Sequence, residues 1–147
     1  MQLSTFTDYA LRMLMHLAVA QDRKLTTRQI TDMHGAKFNH LTKVTQWLVR
    51  EGYVTATRGR SGGLQLRRDP AEINIGKVIR ALESQHRLVE CLREDGGTCI
   101  LAPACELTTT LLEAQDAFFQ VLDGKTLLQL TVNNRKITPL LHRLNTA

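Results

Sequence analysis

The sequence predicts a mainly α-helical chain with one small β-hairpin. Three observations predict it. Apolar residues recur at three- and four-residue steps along most of the chain, the period of a helix with one buried face. β-Branched and aromatic residues gather in a single stretch, 53–58, followed by a glycine-rich turn and a short alternating return. A sustained heptad seam marks one long helix in the second half.

The elements follow in chain order. Phe6, Ala10, Leu14, Leu17 and Ala18 place a helix over 5–21, with Asp8 in its first turn, where a carboxylate favours the positive end of the dipole. Thr26-Thr27-Arg28-Gln29 reads as a capping box, starting a short helix with Ile30 and Met33 inward. His34-Gly35-Ala36 ends it, because glycine takes the left-handed conformation of a helix stop. A second helix spans about 39–51 on the stripe Leu41, Val44 and Leu48, and Gly52 stops it. Two short helices around such a turn form a helix-turn-helix. The hairpin follows: a strand at 53–58, a turn at Gly59-Arg60-Ser61-Gly62-Gly63 and a return at 64–66, the position of a wing. Asp69-Pro70 closes this unit. Asn74 caps a helix carrying Ile75, Val78, Ile79 and Leu82. The segment 88–105 is a loop. Leu107, Leu111, Ala114, Phe118 and Val121 then form the seam of a helix over 104–122, with Leu112, Phe119 and Leu122 as a second stripe. Two weaker apolar segments, 126–132 and 137–144, predict short helices. The expected organisation is a winged helix-turn-helix over 1–70, then a cysteine loop and dimerisation helices over 71–147.

Composition narrows the function. Hydrophobic residues make up 43% of the 147 residues, enough for a core and too many for a disordered chain. No apolar run approaches the roughly 18 residues of a membrane span, and the N-terminus lacks a signal-peptide pattern, so a cytoplasmic protein with no membrane partner is expected. The charge is uneven. Residues 1–70 carry eleven Lys/Arg against five Asp/Glu, whereas 71–147 carry eight against nine. A positive first half points to a polyanion, most simply DNA.

A groove-reading helix must expose hydrogen-bonding groups opposite its buried stripe. His40, Lys43, Gln46 and Arg50 are expected there, with Lys37 and Asn39 at its start. Thr27 and Arg28 open the preceding helix, where backbone N–H groups can hold a phosphate. At the hairpin tip, Arg58, Arg60 and Ser61 surround Gly59, and an arginine on a glycine-rich tip can enter a minor groove. Trp47 is expected either to face DNA or to pack under the wing.

Three cysteines, Cys91, Cys99 and Cys105, lie within fifteen residues in a C-x7-C-x5-C pattern. An odd set cannot fully pair into disulfides. Thiolates are soft ligands suited to iron–sulfur clusters, zinc or Cu(I). The gaps are wide for a zinc knuckle, which uses closer pairs and a fourth ligand, so a bulkier cluster fits better. No Ser/His/Asp or paired-carboxylate constellation stands out, and no enzyme activity is expected.

Several motifs together resemble one family. They are the opening Met1-Gln2-Leu3-Ser4-Thr5-Phe6-Thr7-Asp8-Tyr9-Ala10-Leu11-Arg12, Gly52-Tyr53-Val54 and Arg58-Gly59-Arg60-Ser61-Gly62-Gly63. Ile75-Gly76-Lys77-Val78-Ile79-Arg80-Ala81-Leu82-Glu83 and Pro103-Ala104-Cys105 continue the match to about residue 130. The chain resembles the Rrf family of winged-helix iron–sulfur regulators, and within it the nitric-oxide-sensitive repressors. The resemblance implies a homodimer on a palindromic double-stranded DNA operator, with nitric oxide as the signal. It implies a cluster, 4Fe–4S or else 2Fe–2S, held by Cys91, Cys99 and Cys105. It further implies Asp8 as a fourth ligand from the partner subunit. A second branch of the family carries His three residues after its last cysteine, where this chain has Thr108. One departure stands out: the family leaves five or fewer residues between the first two cysteines, and here there are seven. The acidic turn Glu94-Asp95-Gly96-Gly97 is expected to absorb the difference. Cluster type and fourth ligand therefore stay open. So do a response to redox state or to iron supply, a structural zinc site, and, in a different class, a small electron carrier.

Overall fold

The computed structural model describes residues 2–84, 88–92, 95 and 97–146. Seven α-helices and one two-stranded antiparallel sheet are found among them. The first helix, α1 (Thr5–Ala20), runs through the centre of the core: Ala10, Met13, Leu14, Leu17 and Ala18 are all buried. Ser4 caps it, its hydroxyl accepting the Thr7 N–H at 3.1 Å. The capping box is present at α2 (Thr27–His34). Thr26 Oγ1 accepts the Gln29 N–H at 3.1 Å, and Gln29 Oε1 accepts the Thr26 N–H at 2.8 Å. Gly35, at φ 58°, ends α2 as expected. Helix α3 (Phe38–Arg50) buries Leu41, Val44 and Leu48 completely. It stops where Gly52 turns to φ 73° and Tyr53 N–H returns to the Leu48 carbonyl at 2.9 Å, a Schellman ending.

The hairpin pairs β1 (Val54–Thr57) with β2 (Gly63–Leu66) in the register Val54↔Leu66 to Thr57↔Gly63. Leu25 pairs with the other edge of β2: it exchanges both backbone hydrogen bonds with Leu64, at 3.2 and 2.8 Å. That pairing ties the wing to the segment just before α2. Gly63 permits it, because a Cβ there would lie 2.9 Å from the Lys24 side chain. Trp47 packs under the wing, stacked on Tyr53 at 6.0 Å and 16°.

Helix α4 (Ile75–Leu82) starts at the Asn74 cap, whose Oδ1 accepts the Lys77 N–H at 2.9 Å. Two 3-10 turns, Glu90–Leu92 and Ala102–Ala104, lead to the long α5 (Glu106–Asp123). The chain then zips back: Ile75 N–H reaches Lys125 O at 3.0 Å and Leu127 N–H reaches Ile73 O at 2.9 Å. A second capping box, Thr126 with Gln129, opens α6 (Leu127–Leu130). The last helix, α7 (Thr138–Thr146), lies on α1 with Leu141 and Asn145 buried. Ile73, Ile75, Val78, Ile79 and Leu127 share one core with α1, α3 and the hairpin.

The two stripes of α5 are only partly covered. Phe119 and Leu122 of the second stripe pack against the core, but Leu112 of that stripe is 43% exposed, and Leu107 and Val121 of the heptad seam are 62% and 68% exposed. No helix among the described residues is long and apolar enough to cross a membrane.

Candidate functional site

The expected DNA-facing residues lie on α2, α3 and the hairpin tip, and most of them are exposed. Thr27 is half-buried, its hydroxyl 3.2 Å from that of Thr45 on α3. Arg28, Lys37, Asn39, Lys43, Gln46 and Arg50 are exposed, and so are Arg58, Arg60 and Ser61 on the wing. Arg50 pairs with Glu51 at 3.1 Å. His40 is not a free surface group. It is half-buried against α1, edge-on to Tyr9 at 5.5 Å and tilted to Phe6 at 6.2 Å. The tip owes its shape to glycine: Gly59 sits at φ 102°, and a Cβ on Gly62 would lie 2.8 Å from the Arg58 carbonyl carbon.

Sequence reasoning missed Phe38. It opens α3 with 38% of its surface exposed, and the Arg28 guanidinium lies 4.2 Å from its ring centre. An apolar residue just before the buried stripe was the available signal.

All three cysteines are free thiols. Cys91 and Cys105 are half-buried and converge on one residue. Cys91 Sγ lies 3.4 Å from Thr108 Oγ1. Cys105 is the N-cap of α5, and its carbonyl accepts the Thr108 N–H at 3.2 Å. The backbone and hydroxyl of Thr108, and then the Leu107 backbone, lower the Cys105 thiol pKa from its ordinary value, and desolvation opposes them. A helix N-terminus favours thiolate in this way. Cys99 is exposed. Its neighbour Thr98 is tied to Glu90, the neighbour of Cys91: the Thr98 N–H and hydroxyl reach Glu90 Oε1 at 3.1 and 2.9 Å. Gly97, at φ 63°, allows that closure, since a Cβ there would meet the Glu90 carbonyl oxygen at 2.9 Å. Of the turn expected to absorb the long gap, Glu94 and Gly96 lie outside the described residues. Among the described residues, no three Cys, His, Asp or Glu side chains form a metal-sized group within the chain. The donor chemistry, three free thiols with one held toward thiolate, fits a thiophilic centre.

Asp8 is gripped by Arg12 through both oxygens, at 2.7 and 3.0 Å. From Arg12 a hydrogen-bonded chain runs inward, through residues that the sequence left as scattered histidines. Arg12 Nη1 lies 3.5 Å from His34 Nδ1, His34 Nε2 lies 2.9 Å from His16 Nε2, and His16 Nδ1 lies 2.6 Å from Asn145 Oδ1. Asn145 Nδ2 donates to the His16 carbonyl at 3.0 Å, which sets the amide orientation. Only one proton order satisfies every contact. Arg12 donates to His34, His34 Nε2–H donates to His16, and His16 Nδ1–H donates to Asn145. Both imidazoles are then neutral. Burial lowers the pKa of His16 against the Asn145 bond, which raises it. Burial also lowers that of His34, helped by the charges of His16 and Arg12 and opposed by Asp8.

Helix, glycine turn, polar-faced helix and hairpin define a winged helix-turn-helix protein. The family described as Rrf2, iron-dependent transcriptional regulator, matches residues 3–133. The HTH-type transcriptional regulators NsrR of Shouchella clausii and Bacillus subtilis are 43% and 41% identical over 142 residues, which is 96% of this chain and 95% and 97% of theirs. Among solved structures, CymR, the global cysteine regulator of B. subtilis, matches with a TM-score of 0.71 at 26% identity, over 91% of this chain and 98% of its own. The oxidised form of Staphylococcus aureus CymR matches with a TM-score of 0.70 at 26% identity, over 88% and 95%. The chain belongs to the Rrf2 family of transcriptional regulators, and its sequence is of the NsrR type.

Proposed function

We propose that this chain is a cytoplasmic, non-enzymatic repressor that grips a palindromic operator as a homodimer and releases it in response to nitric oxide. The sensor is an iron–sulfur cluster held by Cys91, Cys99 and Cys105, with Asp8 supplied by the partner subunit. One observation carries the reading: two of three free thiols meet at Thr108 on the first turn of α5, and one of them is already biased toward the ligating thiolate. When bound, the cluster supplies iron that reacts with nitric oxide, and three thiolates leave one iron without a protein sulfur ligand.

The chain's own residues provide the rest. Residues 1–70 read DNA through Thr27, Arg28, Lys37, Asn39, Lys43, Arg58, Arg60 and Ser61. His40, packed on Tyr9 and Phe6, sets the start of α3 against α1. Residues 71–147 hold the cysteines and the exposed α5 seam of Leu107 and Val121, which a second copy covers. Glu83, at the end of α4, joins the two halves. Its carboxylate accepts the Ser4 N–H at 2.8 Å and the Thr7 hydroxyl at the start of α1. A displaced cysteine segment therefore pulls on α1, against which α3 packs.

A second reading has its own support: Cys99 is exposed, and a structural relative is known in an oxidised form, so the thiols themselves could respond to oxidants. One experiment separates the two. Protein purified without air is analysed for iron and sulfide, then titrated on operator DNA with nitric oxide, peroxide and oxygen. Stoichiometric iron and sulfide, with release by nitric oxide, are expected. Normal operator control by iron-free protein would overturn the cluster reading.

A further inference from the structure

The first residue of α3 departs from the chemistry around it. Lys37 and Asn39 are polar and exposed, yet Phe38 between them is a large aromatic that is 38% exposed. It belongs neither to the buried core nor to the partly buried residues packed on that core. Burial in the chain's own interior therefore does not account for it. What holds it is Arg28 on α2, whose guanidinium lies 4.2 Å from the ring centre, a cation–π contact. The Arg28 guanidinium stacks on the ring, and 38% of the residue's surface stays open to solvent at the start of the helix with the polar outer face.

We infer that Phe38 is a specificity-determining residue that reads the 5-methyl group of a thymine in the major groove. The inference rests on the DNA-binding reading above and adds which base feature is read. The N-terminal residues of a recognition helix meet base edges. Of the four bases only thymine presents an apolar group there, and a Phe side chain is one of the few that meets it without stranding a hydrogen-bonding atom. Lysine or asparagine at position 38 would instead seek an acceptor or donor. The stacked Arg28 has a second consequence: the guanidinium is held beside the ring at the start of α2, where a backbone phosphate is favoured. Phe38 thus links one phosphate contact to one methyl contact in each half-site.

The test uses full-length protein prepared without air. A duplex is first selected from a random pool by the protein itself. Each thymine of that duplex is then replaced singly by deoxyuridine, which removes the methyl and leaves the pairing edge unchanged. One position per half-site is expected to weaken binding about three- to fivefold, the value of one buried methyl group. With Phe38→Ala, the same replacement is expected to change nothing. If the unaltered protein binds its duplex but ignores every methyl, the inference falls while the DNA-binding reading stands. The same holds if Phe38→Ala keeps the full methyl effect. If no duplex is selected at all, the DNA-binding reading falls and takes this one with it. The deoxyuridine series on the unaltered chain can overturn the inference by itself, and Phe38→Ser at the same exposed site replaces Phe38→Ala, with the same two outcomes, if that variant folds poorly.

Discussion

Gly76 lies where α4 touches the end of α5, and replacing it by alanine sets two effects of opposite sign against each other. Alanine is worth up to about 1 kcal/mol over glycine in a helix interior, and less at Gly76, the second residue of α4. Here, however, the added Cβ would lie 2.9 Å from Asp123 Cγ and 3.0 Å from the Asp123 backbone nitrogen, and it would collide with Oδ1. Asp123 has little freedom to withdraw. Both its oxygens are bonded to Arg80, at 2.6 and 2.7 Å, and its carbonyl accepts Asn74 Nδ2 at 2.7 Å. Arg80 in turn lies over the Phe119 ring at 4.2 Å. The clash therefore reaches backbone, and α5 must shift by a few tenths of an ångström. Overpacking of this kind costs about 1–3 kcal/mol, near the upper end when backbone is met. Net destabilisation of about 1–2 kcal/mol follows after the propensity gain is subtracted. With a urea m-value of about 2 kcal/mol/M, the midpoint of unfolding falls by about 0.5–1 M. The assay is urea unfolding of cluster-free protein followed by helical circular dichroism. Gly124→Ala is the control, because its Cβ would meet nothing closer than 3.5 Å. A Gly76→Ala midpoint equal to or above that of the unaltered chain would refute the packing argument.

Three more predictions accompany it. His16 and His34 are held neutral, with folded pKa values below 6.5, so the unfolded chain binds protons that the folded chain excludes. Stability is therefore full above the unfolded value and declines as pH falls through it toward the lowered folded values. Urea midpoints measured from about pH 8 to about pH 5 should drop, with a shallower slope in His34→Gln, and a flat or rising profile would contradict the neutral chain. Arg60→Ala should weaken operator binding by about 1–3 kcal/mol at fixed salt if the wing tip makes a specific contact, and equal affinities would show that it is not read. Asp8→Ala loses only a surface pair with Arg12, worth about 0–1 kcal/mol, so the fold should survive while cluster loss to a chelator accelerates. An unchanged loss rate would remove Asp8 from the ligand set.

Much of this protein is written in short-range chemistry. Both ends of α2 follow from Thr26, Gln29 and Gly35, and the end of α3 from Gly52, because caps and left-handed turns are decided within a few residues. Apolar spacing placed α1, α3, α4 and α5, and the basic first half and the clustered cysteines pointed to a polyanion and a soft metal centre. Boundaries moved by a residue or two. The long helix starts at Glu106 rather than near 104, since the Ala102–Ala104 turn with Pro103 precedes it.

Other features required the folded chain, because they join residues far apart in sequence and leave no periodic trace. His16 and Asn145 stand 129 positions apart, yet share two hydrogen bonds at the back of α1. Leu25 reads as a loop residue until Leu64 pairs with it. His40 leaves the exposed set in which the sequence places it, and Phe38, which the sequence reading passes over, stays out: the rings of α1 draw the imidazole inward, while Arg28 holds the aromatic ring at the surface. Two apolar stripes on α5 look alike in sequence, and only the contact with α4 and the core decides that Phe119 and Leu122 are covered while Leu107, Leu112 and Val121 stay exposed. Periodicity names the faces of a helix, but what packs against each face is settled by neighbours that local sequence does not contain.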